Sequence, residues 1–231
     1  MNTVLVVQAR LGSTRFPGKM LASLGDRPLI FWVLDRILRS SEVTEVVVAT
    51  TDAPADDPLV AAIAGYPVRV FRGSTDDVLG RFSGALASVD VDHVVRVCAD
   101  NPFVDPECID ALVRDHVLTK SGYTFNHRPH DGCDYADGLG AEAIERSLLD
   151  RLNREVSRRE HREHVTLAIV DGTIETSRHG MRAPEALRHP EVRLDVDTPE
   201  DLEKLQRIVD SANLTPTSTA DQFVTAALAF S

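Results

Sequence analysis

The sequence predicts an α/β protein with a mostly parallel sheet, and three observations predict it. Valine-rich runs at 4–7 and 46–48 are apolar without alternation, as strands covered on both faces are. Segments with apolar residues at helical spacing separate those runs. Four strand–helix units follow one another within about 120 residues, the pattern of a parallel sheet with helical crossovers.

The first strand is expected at 3–8, followed by a polar loop at 9–19 and a helix whose first turn Pro28 can occupy. Ile30, Phe31, Leu34, Ile37 and Leu38 give that helix one apolar stripe, running to about residue 40. A second strand at 45–50 ends at Thr51-Asp52, and a short helix covers 57–64. The third strand, 68–71, ends at Arg72-Gly73-Ser74. Ser74 is the expected N-cap of a helix over 76–88, with Asp77 three residues on. The fourth strand, 93–98, ends at Asp100-Asn101-Pro102, and a helix opens at Asp105-Pro106 and runs to about Thr119. The alternation then breaks. Strands are expected at 123–126, near 139–143 and near 174–177, with a helix over 144–156 and a helical piece at 159–166. This stretch, 123–189, is expected to be a lobe laid over the sheet edge. The main fold resumes with a strand at 192–196. A helix over 199–212 follows, with Thr198 as N-cap, Pro199 at its first position and Asp201 three residues after the cap. A Thr/Ser/Pro linker and a last short helix to about 229 complete 213–231.

Composition narrows the function classes. The 231 residues, 43% of them hydrophobic, suit one substantial domain. A formal charge of −11 argues against broad attraction to nucleic acid or anionic membrane. The apolar runs are too short to span a bilayer, and the chain starts on a strand without signal-like regions. Cys98, Cys108 and Cys133 form no CxxC pair and suit buried thiols in a reducing cytoplasm.

Ligands of parallel α/β sheets bind beyond the carboxyl ends of the strands. Those ends deliver the 10–19 loop, Thr51-Asp52, 72–74 and Asp100 to one edge. None of the 36 acidic residues precedes Asp26, so the first loop is a basic island in an acidic chain. Gly12 permits close backbone approach to a phosphate, and Arg10, Arg15 and Lys19 can share a polyanion's charge. The loop is not a P-loop: five residues separate Gly12 from Gly18, and Met20 stands where a magnesium-binding hydroxyl would be. The dinucleotide fingerprint is absent too. Asp195 and Asp197 flank Val196 and so share one side of an extended segment. Together with Asp100 they suit Mg²⁺ bound by one or two carboxylates plus substrate oxygens. The structural alternatives are that Asp197 caps the next helix and that Asp195 pairs with Arg193 or Arg182. His127, His130 and Cys133 have a spacing that could hold zinc, without an indicated fourth ligand.

Six blocks in order resemble one family: QARLGSTRFPGK (8–19), RGSTDDVLGRF (72–82), RVCADNP (96–102), DGLGAE (137–142), REHVT (162–166) and RLDVDTPEDL (193–202). They are similar to the cytidylyltransferases that activate acidic sugars, and most of all to the SpsF-like, spore-coat polysaccharide branch. The resemblance implies a Rossmann-like three-layer nucleotidyltransferase fold over 1–231, with 123–189 as an acceptor and dimerisation lobe. It implies a cytoplasmic homodimer that uses CTP and Mg²⁺, acts on a small acidic acceptor and releases pyrophosphate. Carried over by residue, Arg10, Gly12, Ser13, Arg15 and Lys19 match the triphosphate loop, and Thr51, Arg72, Gly73, Ser74 and Asp76 match blocks near the cytidine. Asp100, Asp195 and Asp197 match metal-binding aspartates; Arg15, Lys19 and Asp100 would carry catalysis. Asp137, Glu142, Glu163 and His164 fall in the acceptor blocks. Gly140 departs from the branch, which usually has aspartate there, and leaves the acceptor open: a nonulosonic acid, a 3-deoxy sugar acid or a phosphonate. The alternatives are a nucleotide-sugar glycosyltransferase, because Asp195-Val-Asp197 reads DxD, and a nucleotide-binding module without catalysis.

Overall fold

Residues 3–7 are all sealed from solvent, and the strand they form pairs in parallel on both of its edges. The computed structural model describes residues 2–127 and 132–230. Its elements in chain order are β1 (Thr3–Gln8), the small ribbon β2 (Ser23–Leu24) and β3 (Arg27–Pro28), α1 (Leu29–Ile37), β4 (Glu45–Thr51) and α2 (Asp57–Ala62). Next come β5 (Arg69–Gly73), α3 (Val78–Ala85), β6 (His93–Cys98), α4 (Pro106–Thr119), β7 (Tyr123–Phe125) and β8 (Glu142–Glu145). The chain continues through α5 (Arg146–Glu155), α6 (Arg159–Glu163), α7 (Leu167–Val170), β9 (Arg178–Gly180), α8 (Pro199–Ala212) and α9 (Ala220–Leu228).

Seven strands form one sheet in the order β5-β4-β1-β6-β8-β7-β9. Neighbours pair in parallel except at β8, which runs antiparallel to both β6 and β7. The four predicted strand–helix units are therefore present, and their carboxyl ends lie together. On one face α3 packs against β5 and β4, and α5 and α6 pack against α3. On the other, Trp32 of α1, Phe103 and Phe223 of α9 form an aromatic stack, with Phe103 and Phe223 centroids 4.1 Å apart. Buried Arg36 sits over Phe223 and donates to Val104 O, Asp105 and the carbonyls of Pro216 and Ser218, docking the C-terminal segment. Among the described residues no helix is long and apolar enough to cross a membrane.

Several local expectations are corrected. The 123–189 stretch does not simply lie over the sheet edge: β7, β8 and β9 are hydrogen-bonded into the sheet, and α5–α7 form the cover. Residues 192–196 form no strand, because β8 already holds the edge of β6. They are stitched between Asp137 and Asp100 by single bridges, Leu194 N–Asp137 O at 3.0 Å and Val196 N–Asp100 O at 2.8 Å. The strand expected near 174–177 forms at Arg178–Gly180, where Tyr123 finds Arg178 as its partner. Pro28 precedes its helix instead of opening it. Asp77, not Ser74, caps α3: its carboxylate accepts from Gly80 N at 2.8 Å, while Ser74 Oγ accepts from Asp76 N within the turn. The Thr198/Asp201 capping box forms as expected.

Candidate active site

The 10–19 loop is tied down at three points. Leu11 N donates to Asp56 at 2.6 Å, and the other oxygen of that carboxylate accepts from the Thr51 hydroxyl. One buried carboxylate thus fixes the loop after β1 to the end of β4. Ser13 Oγ accepts from Phe16 N at 3.2 Å, and Gly18 takes a left-handed φ of 76° before the Lys19 turn. Gly12 stands open, with nothing within 4 Å of where a Cβ would be. Arg10 is half-buried and, among the described residues, has no carboxylate partner.

Lys19 does not project into that open space. It is 9% exposed, and its ammonium donates to Val196 O at 2.7 Å while lying 3.4 Å from Asp100 and 3.8 Å from Asp197. A single buried cation therefore gathers two carboxylates from distant parts of the chain. Arg15, 64% exposed in its side chain, reaches Asp197 at 2.8 Å. Asp195 pairs with Arg193 at 2.7 Å, and the same guanidinium nitrogen lies 3.9 Å from Asp197, so the structural pairing expected as an alternative is realised. The three predicted metal aspartates consequently do not converge. Among the described residues, no group of three His, Cys, Asp or Glu side chains is arranged to hold a metal. Asp100 and Asp197 alone fit a divalent cation: two hard oxygen donors brought to one point, with further positions left to substrate oxygens. His130 of the zinc-like spacing lies outside the described residues.

The β4–β5 edge is built for rigidity. Arg72 donates to Thr51 O and Ala53 O, both at 2.9 Å, and pairs with Asp57, so it braces the edge. Asp52 N donates to Gly73 O at 2.9 Å. Ser74 and Asp76 are exposed on the turn beyond. The sequence reading missed Arg81, which is 1% exposed over Gly73 and donates through Nη1 to the carbonyls of Ser74 and Thr75. Its Nε and Nη2 have no partner, and burial together with nearby Arg10 lowers its pKa. A signal existed: Val78, Arg81, Phe82 and Ala85 form the helical stripe that faces the sheet.

The acceptor blocks meet at Glu142. Its carboxylate accepts from the Tyr123 hydroxyl at 2.5 Å and the Thr166 hydroxyl at 2.9 Å, pairs with Arg96, and lies 3.5 Å from His127 Nε2. Burial alone would raise its pKa, but Arg96, His127 and the Tyr123 hydroxyl outweigh burial and hold it down to about 2. In REHVT the inward anchors are Thr166 and Arg162, whose guanidinium grips Asp77 at 2.6 and 2.8 Å; Glu163 is half-buried and His164 exposed. Asp137 sits beside Arg193 through the 193 bridge. At Gly140 a Cβ would come within 2.3 Å of Asn126 O. Asn126 bonds across to Ala141 N and Cys108 O, so this position is closed by packing and presents nothing to an acceptor.

A parallel α/β sheet whose strand ends unite a basic loop with a carboxylate pair defines a nucleotidyltransferase fold. Residues 4–221 match the profile of the cytidylyltransferase family. The chain is 34% identical to the spore coat polysaccharide biosynthesis protein SpsF of Bacillus subtilis (strain 168), over 97% of this chain and 94% of that one. A cytidylyltransferase structure from Leptospira borgpetersenii serovar Hardjo-bovis superposes with a TM-score of 0.88 at 27% identity, covering 100% of this chain and 94% of its own. A CMP:2-keto-3-deoxy-manno-octonic acid synthetase complexed with CTP shares the fold, with a TM-score of 0.68 at 20% identity and coverage of 91% and 99%. The chain belongs to the cytidylyltransferase family and is a nucleotidyltransferase. Membership decides against the nucleotide-sugar reading of Asp195-Val-Asp197.

Proposed function

We propose that this enzyme transfers CMP from CTP to an acidic sugar-type acceptor and releases pyrophosphate. The observation that carries this reading is the Asp100–Asp197 pair drawn together by Lys19 beside the basic 10–19 loop. A Mg²⁺ ion held by Asp100 and Asp197 with phosphate oxygens would neutralise charge building on the α-phosphate. The acceptor hydroxyl oxygen attacks the α-phosphorus in line and gives up its proton to solvent; its P–O bond forms as the bond to the bridging oxygen breaks, and pyrophosphate departs. Arg10 and Arg15 meet the charge of the leaving group, and the open backbone at Gly12 lets phosphate oxygens approach. Lys19 acts one step back, fixing the carboxylates instead of the phosphates. Positioning and charge neutralisation carry such a reaction, so no covalent nucleophile is required.

The test is Asp100→Ala. The variant should stay folded and lose CTP-dependent pyrophosphate release; undiminished release would sink the assignment. A thermal-shift screen of nucleoside triphosphates with Mg²⁺ should rank CTP first.

A further inference from the structure

Gln8, Arg96 and Cys98 share the α3 side of the sheet where β1 and β6 end. Gln8 stands opposite Cys98 in register, and Arg96 stands opposite Val6 on β1 and Glu142 on β8. The strand residues behind them are sealed, yet these three are part-open. An arginine on a central strand is costly unless it is paired or used.

Glu142 cannot be the group that meets an acceptor. One oxygen accepts from Tyr123 and Thr166 and faces His127; the other holds Arg96 Nη1. What stays accessible is the cationic side of the cluster. Arg96 is 15% exposed in its side chain and His127 20%. Arg96 Nη2 has only a long 3.4 Å contact to Gln8, and Nε has no partner. Cys98 ends β6 two residues before Asp100, so Arg96 lies on the strand that leads to the carboxylate pair where CMP would be transferred.

We infer that Arg96, with His127 beside it, is the seat for the acceptor's carboxylate, and that Glu142 is the positioning residue that holds the guanidinium upright. The inference rests on the CMP-transfer reading above. It explains why four donors are committed to one buried glutamate: an arginine presented edge-on to a ligand needs a fixed counter-ion behind it. It also relocates acceptor recognition from Glu142, Glu163 and His164 to the groups that Glu142 organises.

The experiment follows pyrophosphate release with CTP, Mg²⁺ and a panel of 2-keto-3-deoxy and nonulosonic acids, then compares the best acid with its C1 amide. Because Arg96→Gln alone would strand a buried charge, the charge-balanced double variant R96Q/E142Q is measured beside it. Loss of a charge-assisted contact predicts a rise of about 10- to 100-fold in KM for the acid. The acid-over-amide preference should collapse by the same factor, while stabilisation by CTP changes less than about twofold in apparent affinity. Arg96→Lys should restore part of the preference. A double variant that keeps the wild-type acid preference overturns the assignment, as does one that loses CTP stabilisation along with it. If the wild type is stabilised by CTP but turns over no acid, the acidic-acceptor reading itself falls; if CTP does not stabilise it, CMP transfer falls.

Discussion

Glu142→Gln keeps the side chain's shape and removes the charge beneath Arg96. Glu142 is Arg96's ion-pair partner, 4% exposed in its side chain, so the guanidinium is left buried with no carboxylate against it among the described residues. Breaking a buried pair from one side costs about 3–5 kcal/mol. Linkage gives an independent figure. Against burial, Arg96, His127 and the Tyr123 hydroxyl hold the carboxyl down to about 2, compared with an ordinary glutamate value of 4.5, and that difference is worth roughly 3 kcal/mol. The folded pKa is the depressed one, so this stabilisation is complete above pH 4.5 and is lost as pH falls toward 2. Urea unfolding of both proteins between pH 7 and pH 3 reads it. The variant should be about 3 kcal/mol less stable at pH 7 and at pH 5, and the gap should close progressively below that. A gap under about 1 kcal/mol at pH 7, or one that stays constant down to pH 3, refutes the reasoning.

Two further substitutions probe the frame. Gly138 has φ of +94°, and a Cβ there would stand 2.7 Å from Leu194 C and 2.9 Å from Asp195 N. Gly138→Ala should cost about 2–4 kcal/mol in urea unfolding. It should also depress pyrophosphate release in the folded fraction, because the displaced segment carries Asp197; full activity would refute the link. Arg81→Met removes a buried cation with two unpaired nitrogens and also two bonds to the 74–75 carbonyls. Unliganded stability should move by less than about 1 kcal/mol, while the CTP concentration for half-saturation rises about tenfold. A loss of several kcal/mol with unchanged CTP binding would make Arg81 purely structural.

The parallel half of the fold was legible because β1 and β4 are buried on both faces and carry uninterrupted apolar runs. Strands at 192–196 and 174–177 were misread because local pattern cannot report which sheet edge is free. β8 takes the edge of β6, and Tyr123 selects Arg178. Cap choice at α3 failed for a related reason. Asp77 is held by Arg162, 85 positions away, and no local window contains that partner. At the site, residue types were readable but their pairings were not. Lys19 looked like a phosphate ligand until Val196 O and Asp100 claimed its ammonium. Asp56 gave no local signal, since its role exists only once the ends of β1 and β4 are adjacent. Arg96 did give one: a charge inside the apolar strand His93–Cys98 requires a partner or a ligand.

An acidic chain with a basic loop at its strand ends faces a conflict between rigidity and binding, and the partners of each cation show how it is resolved. Lys19, Arg72, Arg96 and Arg162 are all anchored by carboxylates or carbonyls from distant elements. These four brace the frame, and their side-chain entropy is already lost before any ligand arrives. Arg10 has no ion pair among the described residues, and Arg15 has only an exposed one to Asp197, worth about 0–1 kcal/mol. On the CMP-transfer reading proposed above, Arg10 and Arg15, in the same loop as the open backbone at Gly12, would be the two cations free to follow a triphosphate. The 10–19 loop would then divide its labour: its buried lysine holds the carboxylate pair, and its arginines would meet the polyanion.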